Sequence, residues 1–245
     1  VETGAVLLEG EVRRPGWYDA LRGERLSSLI ARAGGLTDDA YPAGAVILRR
    51  SVAIKEKAAL EEQARALERN LAVLLQKGEE VRQEDVGLVR RLAAQLRAVE
   101  PPGRIVAEAD PTALARRPDR DILLEPGDRI AFPKRPLTVT VSGEVMAPGA
   151  FAFESGKDAE AYIRDAGGLT GLADASRVFM ILPDGRAEPV AISAWNHRFA
   201  GPPPGAALVV PADPRPYSGR ELFQSVADVL SKIALTAASI SVISR

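Results

Sequence analysis

The sequence contains one pattern of residues twice, and this repeat limits the folds open to the chain more than any other feature. Gly-Glu-Val at 10–12 returns at 143–145, Pro-Gly at 15–16 returns at 148–149, and Ala-Gly-Gly-Leu-Thr at 33–37 returns at 166–170. Each pair is separated by 133 positions. A fixed offset over several motifs indicates two copies of one structural module.

Each copy has the pattern of a small α+β unit. Two strand-like segments are joined by a Pro-Gly turn, and an amphipathic helix then ends at Gly34 or Gly167, where a residue without a Cβ can adopt the left-handed conformation. Two further strands follow, so the pattern predicts two tandem β-grasp modules and an α+β fold class. The predicted strand segments are 6–12, 17–21, 45–50 and 125–133 in the first copy, and 137–145, 150–154, 177–183 and 203–211 in the second.

The first copy carries an insertion. Ala33 and Pro126 are 93 positions apart, whereas Ala166 and Pro204 are 38 apart, which leaves 55 additional residues in the first copy. The inserted segment, at about 51–104, has two runs of apolar residues spaced by three and four that are interrupted by Gly78, which predicts an antiparallel helical hairpin. Its seams are Leu60, Ala64, Leu67, Leu71 and Leu74, and Val89, Leu92, Leu96 and Val99. The hairpin is either a tolerated surface insertion or a lever that contacts a neighbouring subunit.

The last segment, residues 221–244, predicts an amphipathic helix. As a continuous helix the 24 residues from Arg220 to Ile243 would span about 36 Å, which exceeds a hydrocarbon layer of ~30 Å. A single spanning helix would place Asp228 and Lys232 in lipid, whereas a ring of copies could face lipid on one side and a water-filled lumen on the other. The alternative is a helix packed on protein, and periodicity alone favours that alternative.

Composition and motifs argue against an enzyme. The chain has 32 basic and 33 acidic residues and a net charge of -1, so there is no overall attraction for nucleic acid. It has no cysteine, and its single histidine, His197, has no neighbouring pattern of a nucleophile. Asp38 and Asp39 follow the helix end and are typical turn residues. The glycine pairs end helices rather than precede them, so they do not form a phosphate site. We expect no cofactor and no metal.

Aromatic residues fall on the second strand of each copy. These residues are Trp17, Tyr18, Phe151 and Phe153. They could stack on sugar rings, but packing in the core or at the sheet edge is the stronger expectation.

The repeated segments "GEVRRPGWYDALRGERLSSLIARAGGLTDDAYPAGAVILRR" and "GEVMAPGAFAFESGKDAEAYIRDAGGLTGLADASRVFMI" resemble SLBB domains. These are the soluble-ligand-binding β-grasp modules of bacterial outer-membrane polysaccharide export proteins, the Wza and KpsD type. The resemblance covers most of the chain outside the insertion. A terminal amphipathic helix directly after the last module is similar to the export family in particular.

The resemblance implies a ring-forming homo-oligomer that passes capsular polysaccharide or exopolysaccharide from the periplasm to the cell surface. Its partner would be an inner-membrane polysaccharide copolymerase, and its terminal helices would form an α-helical barrel in the outer membrane. Lipid-facing residues would be Leu222, Val226, Val229, Ile233 and Ile240, and lumen-facing residues would be Ser225, Asp228, Lys232 and Ser239. The alternative is a periplasmic SLBB module that binds sugar or protein without a pore of its own.

The resemblance also suggests how the chain is organised. Module 1 is expected at 1–135, module 2 at 136–214 and the terminal helix at 215–245. The polysaccharide-export domain and the lipid-attachment cysteine that precede the first module in the family are not in this sequence, so we expect it to be part of a longer or processed chain.

Overall fold

A computed structural model of the chain describes residues 4–77, 82–190 and 201–213. The chain divides into two units, Val1–Pro133 and Lys134–Arg245. The boundary predicted from the sequence, after residue 135, lies two residues later.

The described part of the first unit contains five strands and four α-helices. The strands are β1 (Ala5–Gly10), β2 (Gly16–Asp19), β3 (Val46–Leu48), β4 (Arg104–Ile105) and β5 (Arg129–Phe132), and the helices are α1 (Leu26–Arg32), α2 (Arg50–Gln76), α3 (Gln83–Ala98) and α4 (Pro111–Arg116). The sheet order is β2-β1-β5-β3-β4. The first and last strands, β1 and β5, pair in parallel, and every other pair is antiparallel.

The described part of the second unit repeats this topology. Its strands are β6 (Thr138–Gly143), β7 (Gly149–Ala152), β8 (Phe179–Ile181), β9 (Ala187–Pro189) and β10 (Ala207–Val210), and its helix is α5 (Ala159–Asp165). The sheet order is β7-β6-β10-β8-β9, again with the first and last strands parallel. The two mixed sheets confirm the predicted α+β class and are consistent with tandem modules of the SLBB type.

Alternating burial along the first strand of each unit, β1 or β6, shows that one face of each sheet lies in a core. In β1, Val6 and Leu8 are fully buried, whereas Leu7 lies on the opposite face and is only half-buried. In β6, Val139 and Val141 are fully buried in the same way. Successive side chains of a strand point to opposite faces, so each unit has one apolar core and one outer sheet face.

Helix α1 depends on this core because seven residues are too few for a stable isolated helix. Its buried residues are Leu26, Leu29 and Ile30, which are at most 2% exposed. Each such side chain stabilises the fold by about 2 kcal/mol on burial. Helix α5 buries Tyr162 and Ile163 against the second core in the same manner.

The Gly-Gly pairs end both helices, as the sequence predicts. Gly34 and Gly167 have φ of 86° and 81°, in the left-handed region that favours glycine. Their backbone N–H groups donate to carbonyls in the last helical turn, Gly34 to Ala31 and Gly167 to Arg164, at 2.9 and 3.0 Å. This prediction is confirmed at both positions.

The insertion lies in one particular strand connection. Residues 49–103 join β3 to β4, whereas residues 182–186 join β8 to β9. Both connections link neighbouring antiparallel strands. The first unit thus extends a short turn into a long projection without changing the strand order, which explains why the sheet tolerates it.

Helices α2 and α3 are the two helices of the predicted hairpin, and their contacts run in opposite directions. Near the end of α3, the Arg97 guanidinium contacts the Glu68 carboxylate at 2.7 and 2.8 Å. Lys57, near the start of α2, donates to the carbonyls of Arg97 and Val99 at 2.7 and 2.9 Å. The connecting residues 78–81 lie outside the described residues, so the turn of the hairpin stays a prediction.

The predicted seams are only partly buried. Ala64, Leu71 and Ala93 are the buried residues of the two helices, and Ala93 is not in the predicted seam. Leu74 and Val99 from the predicted seams are 38% and 46% exposed. The small Ala64 and Ala93 side chains are fully buried, and these are the positions at which a helix pair can approach most closely.

Candidate functional site

A pair of hydrogen bonds joins the two halves of the repeated signature in each unit. Thr37 Oγ1 donates to Glu11 Oε2 at 2.6 Å, and Thr170 Oγ1 donates to Glu144 Oε2 at the same distance. The backbone N–H of each threonine also donates to the carbonyl of the same glutamate, at 3.1 Å. We call this arrangement the Glu-Thr clasp. It ties the end of the first strand to the loop after the helix, so the signature residues have a structural role in both units.

An ion pair near each helix occupies equivalent positions in the two units but with the charges exchanged. In the first unit Arg32 Nη2 contacts Glu24 Oε2 at 2.9 Å, and the Glu24 side chain is only 2% exposed. At the positions 133 residues later, Lys157 Nζ contacts Asp165 Oδ2 at 2.5 Å. Hydrogen bonds to Asp165 and then to Glu154 raise the pKa of Lys157 far above its usual value. The two units therefore have an ion pair at equivalent positions, with the order of the charges along the chain reversed.

The cation of each pair also lies over a tyrosine ring. The Arg32 guanidinium is 5.2 Å from the centroid of Tyr18, and Lys157 Nζ is 4.8 Å from the centroid of Tyr162. Both distances fall within the range of a cation–π contact. Tyr18 lies in β2 and Tyr162 lies in α5. The cation–π contact is therefore present in both units but uses a tyrosine from a different position in each.

The loop after β1 carries adjacent arginines. Arg14 Nε and Nη2 donate to the carbonyls of Ala33 and Arg32 at 3.5 and 3.3 Å, at the end of α1. The Arg13 side chain is exposed and makes no ion pair or hydrogen bond with the described residues. We call Arg13, Arg14 and Arg32 the arginine end of the first unit. Cations at a helix C-terminus interact favourably with the helix dipole.

The four aromatic residues on the second strands divide into two groups. Tyr18 packs against the first core, and Phe151 and Phe153 pack against the second. Trp17 is 67% exposed on the edge strand β2 and lies on the outer face of the sheet. The equivalent residue of the second unit is Ala150. Trp17 is therefore the aromatic residue of these four that is placed to contact a ligand.

The base of the helical insertion is fixed by a buried ion pair. Arg49 Nε and Nη2 contact the two carboxylate oxygens of Asp128 at 2.9 and 2.7 Å, and the Asp128 side chain is fully buried. Arg49 also contacts Glu125 at 3.1 Å and donates to the Leu123 carbonyl at 2.7 Å. The hydrogen bond to Asp128 is the main cause of a raised pKa at Arg49. The guanidinium thus connects the first residue after β3 to the turn before β5.

The part of the insertion furthest from this base exposes apolar side chains. Val73 and Leu75 near the end of α2 are 47% and 51% exposed, and Leu88 in α3 is 38% exposed. These residues do not belong to either core cluster. The apolar surface exists in the first unit only, because the second unit has a five-residue turn at this place.

The lipid-facing and lumen-facing residues predicted on the terminal helix all lie outside the described residues, as does His197. Within residues 4–77, 82–190 and 201–213, no helix is both long enough and apolar enough to cross a bilayer. The same ranges contain no group of three or more carboxylate or histidine side chains that could hold a metal ion. Asp38 and Asp39 are exposed in the turn after α1, where the sequence predicts turn residues.

Two protein families match this chain. Residues 6–57 match the SLBB domain, and residues 147–234 match the family described as "Capsule biosynthesis GfcC C-terminal". The first match begins in β1 and reaches into α2, and the second begins just before β7. The SLBB match therefore lies in the first unit, and the GfcC C-terminal match lies in the second.

Several curated proteins are similar to the chain. It is 30% identical over 167 residues to "Uncharacterized protein YjbG" of Escherichia coli (strain K12), a match that covers 68% of this chain and 65% of YjbG. It is 32% identical over 144 residues to "Polysialic acid transport protein KpsD" of Escherichia coli, which covers 58% of this chain and 25% of KpsD. A second KpsD sequence is 32% identical over 142 residues, covering 57% of this chain and 24% of KpsD.

The chain thus spans just under two thirds of YjbG and about a quarter of KpsD. The repeated signature, the paired mixed sheets and these matches agree with one another. The resemblance found in the sequence is confirmed, because the chain matches the SLBB domain and the GfcC C-terminal capsule biosynthesis family and is similar to KpsD over part of that protein's length.

Proposed function

We propose that the chain is a non-enzymatic component of a channel that exports capsular polysaccharide or exopolysaccharide from the periplasm to the cell surface. The observation that carries the proposal is the joint match to the SLBB domain at 6–57 and to the GfcC C-terminal family at 147–234. The similarity to KpsD, which is named as a polysialic acid transport protein, supports it further. Neither the families nor these relatives are named for an enzymatic activity.

In this proposal identical copies assemble as a ring in the periplasm at the outer membrane. The terminal helices gather into an α-helical barrel, with Val226 and Val229 among the residues facing lipid and Ser225 and Asp228 among those facing the lumen. An inner-membrane polysaccharide copolymerase delivers the polymer. The support for the barrel is the two-sided sequence of residues 221–244, because an array of such helices keeps every backbone hydrogen bond internal while separating lipid from water.

The alternative function is a periplasmic SLBB module that binds sugar or a partner protein and has no pore of its own. The observation that favours it is the exposure of Trp17 on the outer face of the first sheet. An exposed indole of this kind provides a large apolar surface with a polar N–H, which suits recognition. This alternative requires no lipid contact from the terminal segment.

Truncation of the full chain after Tyr217 separates the two functions. If the chain forms an export channel, which we call the conduit, the truncated protein should leave the membrane fraction. Surface polysaccharide, measured by antibody labelling of intact cells, should then be lost.

Point variants on the terminal segment provide a matched pair. Val229→Lys places a charge on the proposed lipid face, at about 2.5 to 3.5 kcal/mol for a central position, whereas Ser225→Lys places it toward water.

The conduit predicts loss of export for Val229→Lys and near-normal export for Ser225→Lys. Equal export by both variants, or normal surface polysaccharide in the truncated strain, would contradict the conduit and support the binding module. A strain lacking the whole chain that still displays normal surface polysaccharide would contradict the export function.

A further inference from the structure

We propose that the open edge of β7 pairs two copies of this chain, with the two strands antiparallel and a two-fold axis at Phe151. The pairing joins the sheets of two second units into one sheet of ten strands. The inference goes beyond the proposed function, because a two-fold contact closes on two copies and does not build a ring. It describes how the chain pairs outside the ring, and it does not depend on export.

Each sheet has two edge strands, and three of these four strands carry features that discourage pairing. β4 has two residues, and β9 has three and ends at Pro189, which has no N–H to donate. β2 carries the charged Asp19, whose carbonyl already accepts from Arg32 Nη2 at 2.8 Å. Short length, proline and charge are the means by which proteins protect a sheet edge. None of them is present in β7 itself, Gly149–Ala152.

The sequence around β7 is uncharged over nine residues. Residues 145–153 contain no charged side chain, whereas the equivalent segment of the first unit contains three. The run is bounded by Glu144 and Glu154, and both carboxylates already have partners, Thr170 and Lys157, each at 2.6 Å. An uncharged edge strand with aromatic residues is prone to pair with another strand. A second copy offers the same uncharged strand, so the edge is complementary to itself.

The hydrogen bonds to β6 show which residues of β7 point to the open edge. Phe153 N–H donates to the Leu137 carbonyl at 2.8 Å, one residue beyond the strand. Bonded and non-bonded pairs alternate along an antiparallel ladder, so Phe151 also bonds to β6. Ala150 and Ala152 therefore direct their N–H and carbonyl groups away from β6. Both are exposed, and no strand among the described residues pairs with this side of β7.

Two of the three possible two-fold registers leave hydrogen bonds unmade. An axis at Ala150 pairs Ala152 with Pro148 of the second copy, which has no N–H. An axis at Ala152 pairs Ala150 with Glu154 of the second copy, whose N–H already donates to the Tyr162 hydroxyl at 2.8 Å. Each of these registers therefore loses a donor on both sides of the axis.

The register with the axis at Phe151 uses every outward-facing group. Ala150 lies opposite Ala152 of the second copy, and each donates its N–H to the carbonyl of the other. The Ala152 carbonyl also accepts from the Tyr162 hydroxyl at 3.3 Å, and its second lone pair remains for the partner strand. The two Phe151 side chains meet across the axis, and aromatic cross-strand pairs stabilise a sheet.

A single introduced thiol tests the axis directly, because the chain has no cysteine. In the proposed register residue 151 lies opposite its own copy in a non-bonded pair, with Cα atoms about 4.5 Å apart, which is within the range for a disulfide. We expect the full Phe151→Cys chain, solubilised in detergent and treated with copper phenanthroline, to run as a disulfide-linked dimer on a non-reducing gel. Tyr18→Cys is the matched control, since Tyr18 is the equivalent residue of β2, and it should stay mostly monomeric.

Two further variants guard against an effect of the substitution on folding. Ala150→Cys combined with Ala152→Cys keeps Phe151 and places thiols across the bonded pair, with Cα atoms about 5.5 Å apart. Circular dichroism shows whether each variant is folded. We expect this double variant to cross-link as Phe151→Cys does.

A charge on the edge should prevent the pairing. Ala152→Asp introduces the residue that the first unit has at Asp19, and in the Phe151→Cys background it should slow cross-linking about tenfold. Ala187→Asp is the matched control, because Ala187 is exposed on β9 at the opposite edge of the same sheet and the net charge changes equally. It should leave the rate unchanged.

Folded cysteine variants that do not cross-link would overturn the inference, and so would Tyr18→Cys that cross-links as fast as Phe151→Cys. An equal effect of Ala152→Asp and Ala187→Asp would overturn the location of the contact. Cross-linking of Phe151→Cys only after truncation at Tyr217 would show that the terminal segment covers this edge, and the inference would fail for the intact chain. Loss of surface polysaccharide on deletion of the chain, combined with any of these results, would leave the export function standing.

Discussion

Lys157 and Asp165 form an ion pair at the positions where the first unit has Glu24 and Arg32, so one structural position accepts the same interaction with its charges reversed. Neither residue is identical between the units, and a comparison of the repeats by identity does not show the relationship. What the two units share is a contact between a carboxylate and a cation whose residues are eight positions apart in the sequence. The interaction therefore stabilises each unit without fixing the charge of its surface.

Exchange of the charges within the first unit is the direct test of this equivalence. Glu24→Lys places a cation beside Arg32 at a position where the native side chain is 2% exposed. Loss of one partner from such a pair should reduce the free energy of unfolding by about 3 kcal/mol. Adding Arg32→Asp recreates the Lys157–Asp165 arrangement and should restore more than half of the loss in urea denaturation followed by circular dichroism. A double variant no more stable than Glu24→Lys would show that the positions are not equivalent.

The Glu-Thr clasp should contribute to stability in both units, because the threonine-to-glutamate hydrogen bond has the same length in each. Thr37→Val and Thr170→Val each remove a 2.6 Å hydrogen bond to a carboxylate while keeping the shape of the side chain. Each should lower the free energy of unfolding by about 1 kcal/mol, measured by urea denaturation. Thr112→Val is the control, since Thr112 is exposed in α4. Clasp variants that are as stable as this control would show that the clasp makes no net contribution.

The repeat made much of the fold predictable from the sequence. The Pro-Gly turn, the helix end at Gly34 and the alternation in β1 are local signals, and each occurs twice at one offset, so each copy supports the other. Strands β4 and β9 were missed because two or three residues are too few for an alternating pattern to appear. The predicted strand 45–50 is shorter in the structure, where α2 begins at Arg50.

The functional features were less predictable because they depend on distant partners. Arg49 contacts Asp128, which is 79 positions away, and no local pattern indicates that pairing. The exposure of Trp17 follows from the register of β2 on β1, which places Trp17 opposite Leu7 on the outer face. The sequence shows that β2 contains two aromatic residues. Which of them faces the core and which faces outward is set by the pairing of β2 with β1.

The protein should tolerate replacement of both Arg49 and Asp128 better than replacement of Arg49 alone. Arg49→Met leaves the fully buried Asp128 carboxylate without its cation and should reduce the free energy of unfolding by about 3 kcal/mol. The second unit has Leu182 and Ala206 at the equivalent positions. Arg49→Leu combined with Asp128→Ala should therefore recover most of the stability, as measured by urea denaturation. If the double variant unfolds as easily as Arg49→Met, the guanidinium has a further role at the base of the insertion.

Acid should weaken a turn of the second unit that is capped by Asp174. Hydrogen bonds from Ser176 and then from Arg177 lower the pKa of Asp174 from 3.8 to about 2. A lowered pKa means that the ionised carboxylate stabilises the folded state at neutral pH, and that this contribution is lost as the pH falls from about 4 through 2. Asp174→Asn should lower the Tm at pH 7, and the difference from the native chain should shrink as the pH falls below about 4 and be mostly lost at pH 2. A difference that stays constant from pH 7 to pH 2 would contradict this assignment.

Replacement of the whole insertion tests whether it is separate from the fold that carries it. Residues 49–103 can be exchanged for the five residues 182–186, because both segments join neighbouring antiparallel strands, and Asp128→Ala removes the carboxylate that would lose Arg49. We expect the shortened chain to keep a cooperative unfolding transition while its helical circular dichroism signal falls. Failure to fold would show that the insertion stabilises the sheet. If the shortened chain folds, surface polysaccharide in cells separates the two interpretations: normal export indicates a tolerated surface insertion, and lost export indicates that the exposed apolar surface at Val73 and Leu75 contacts a neighbour.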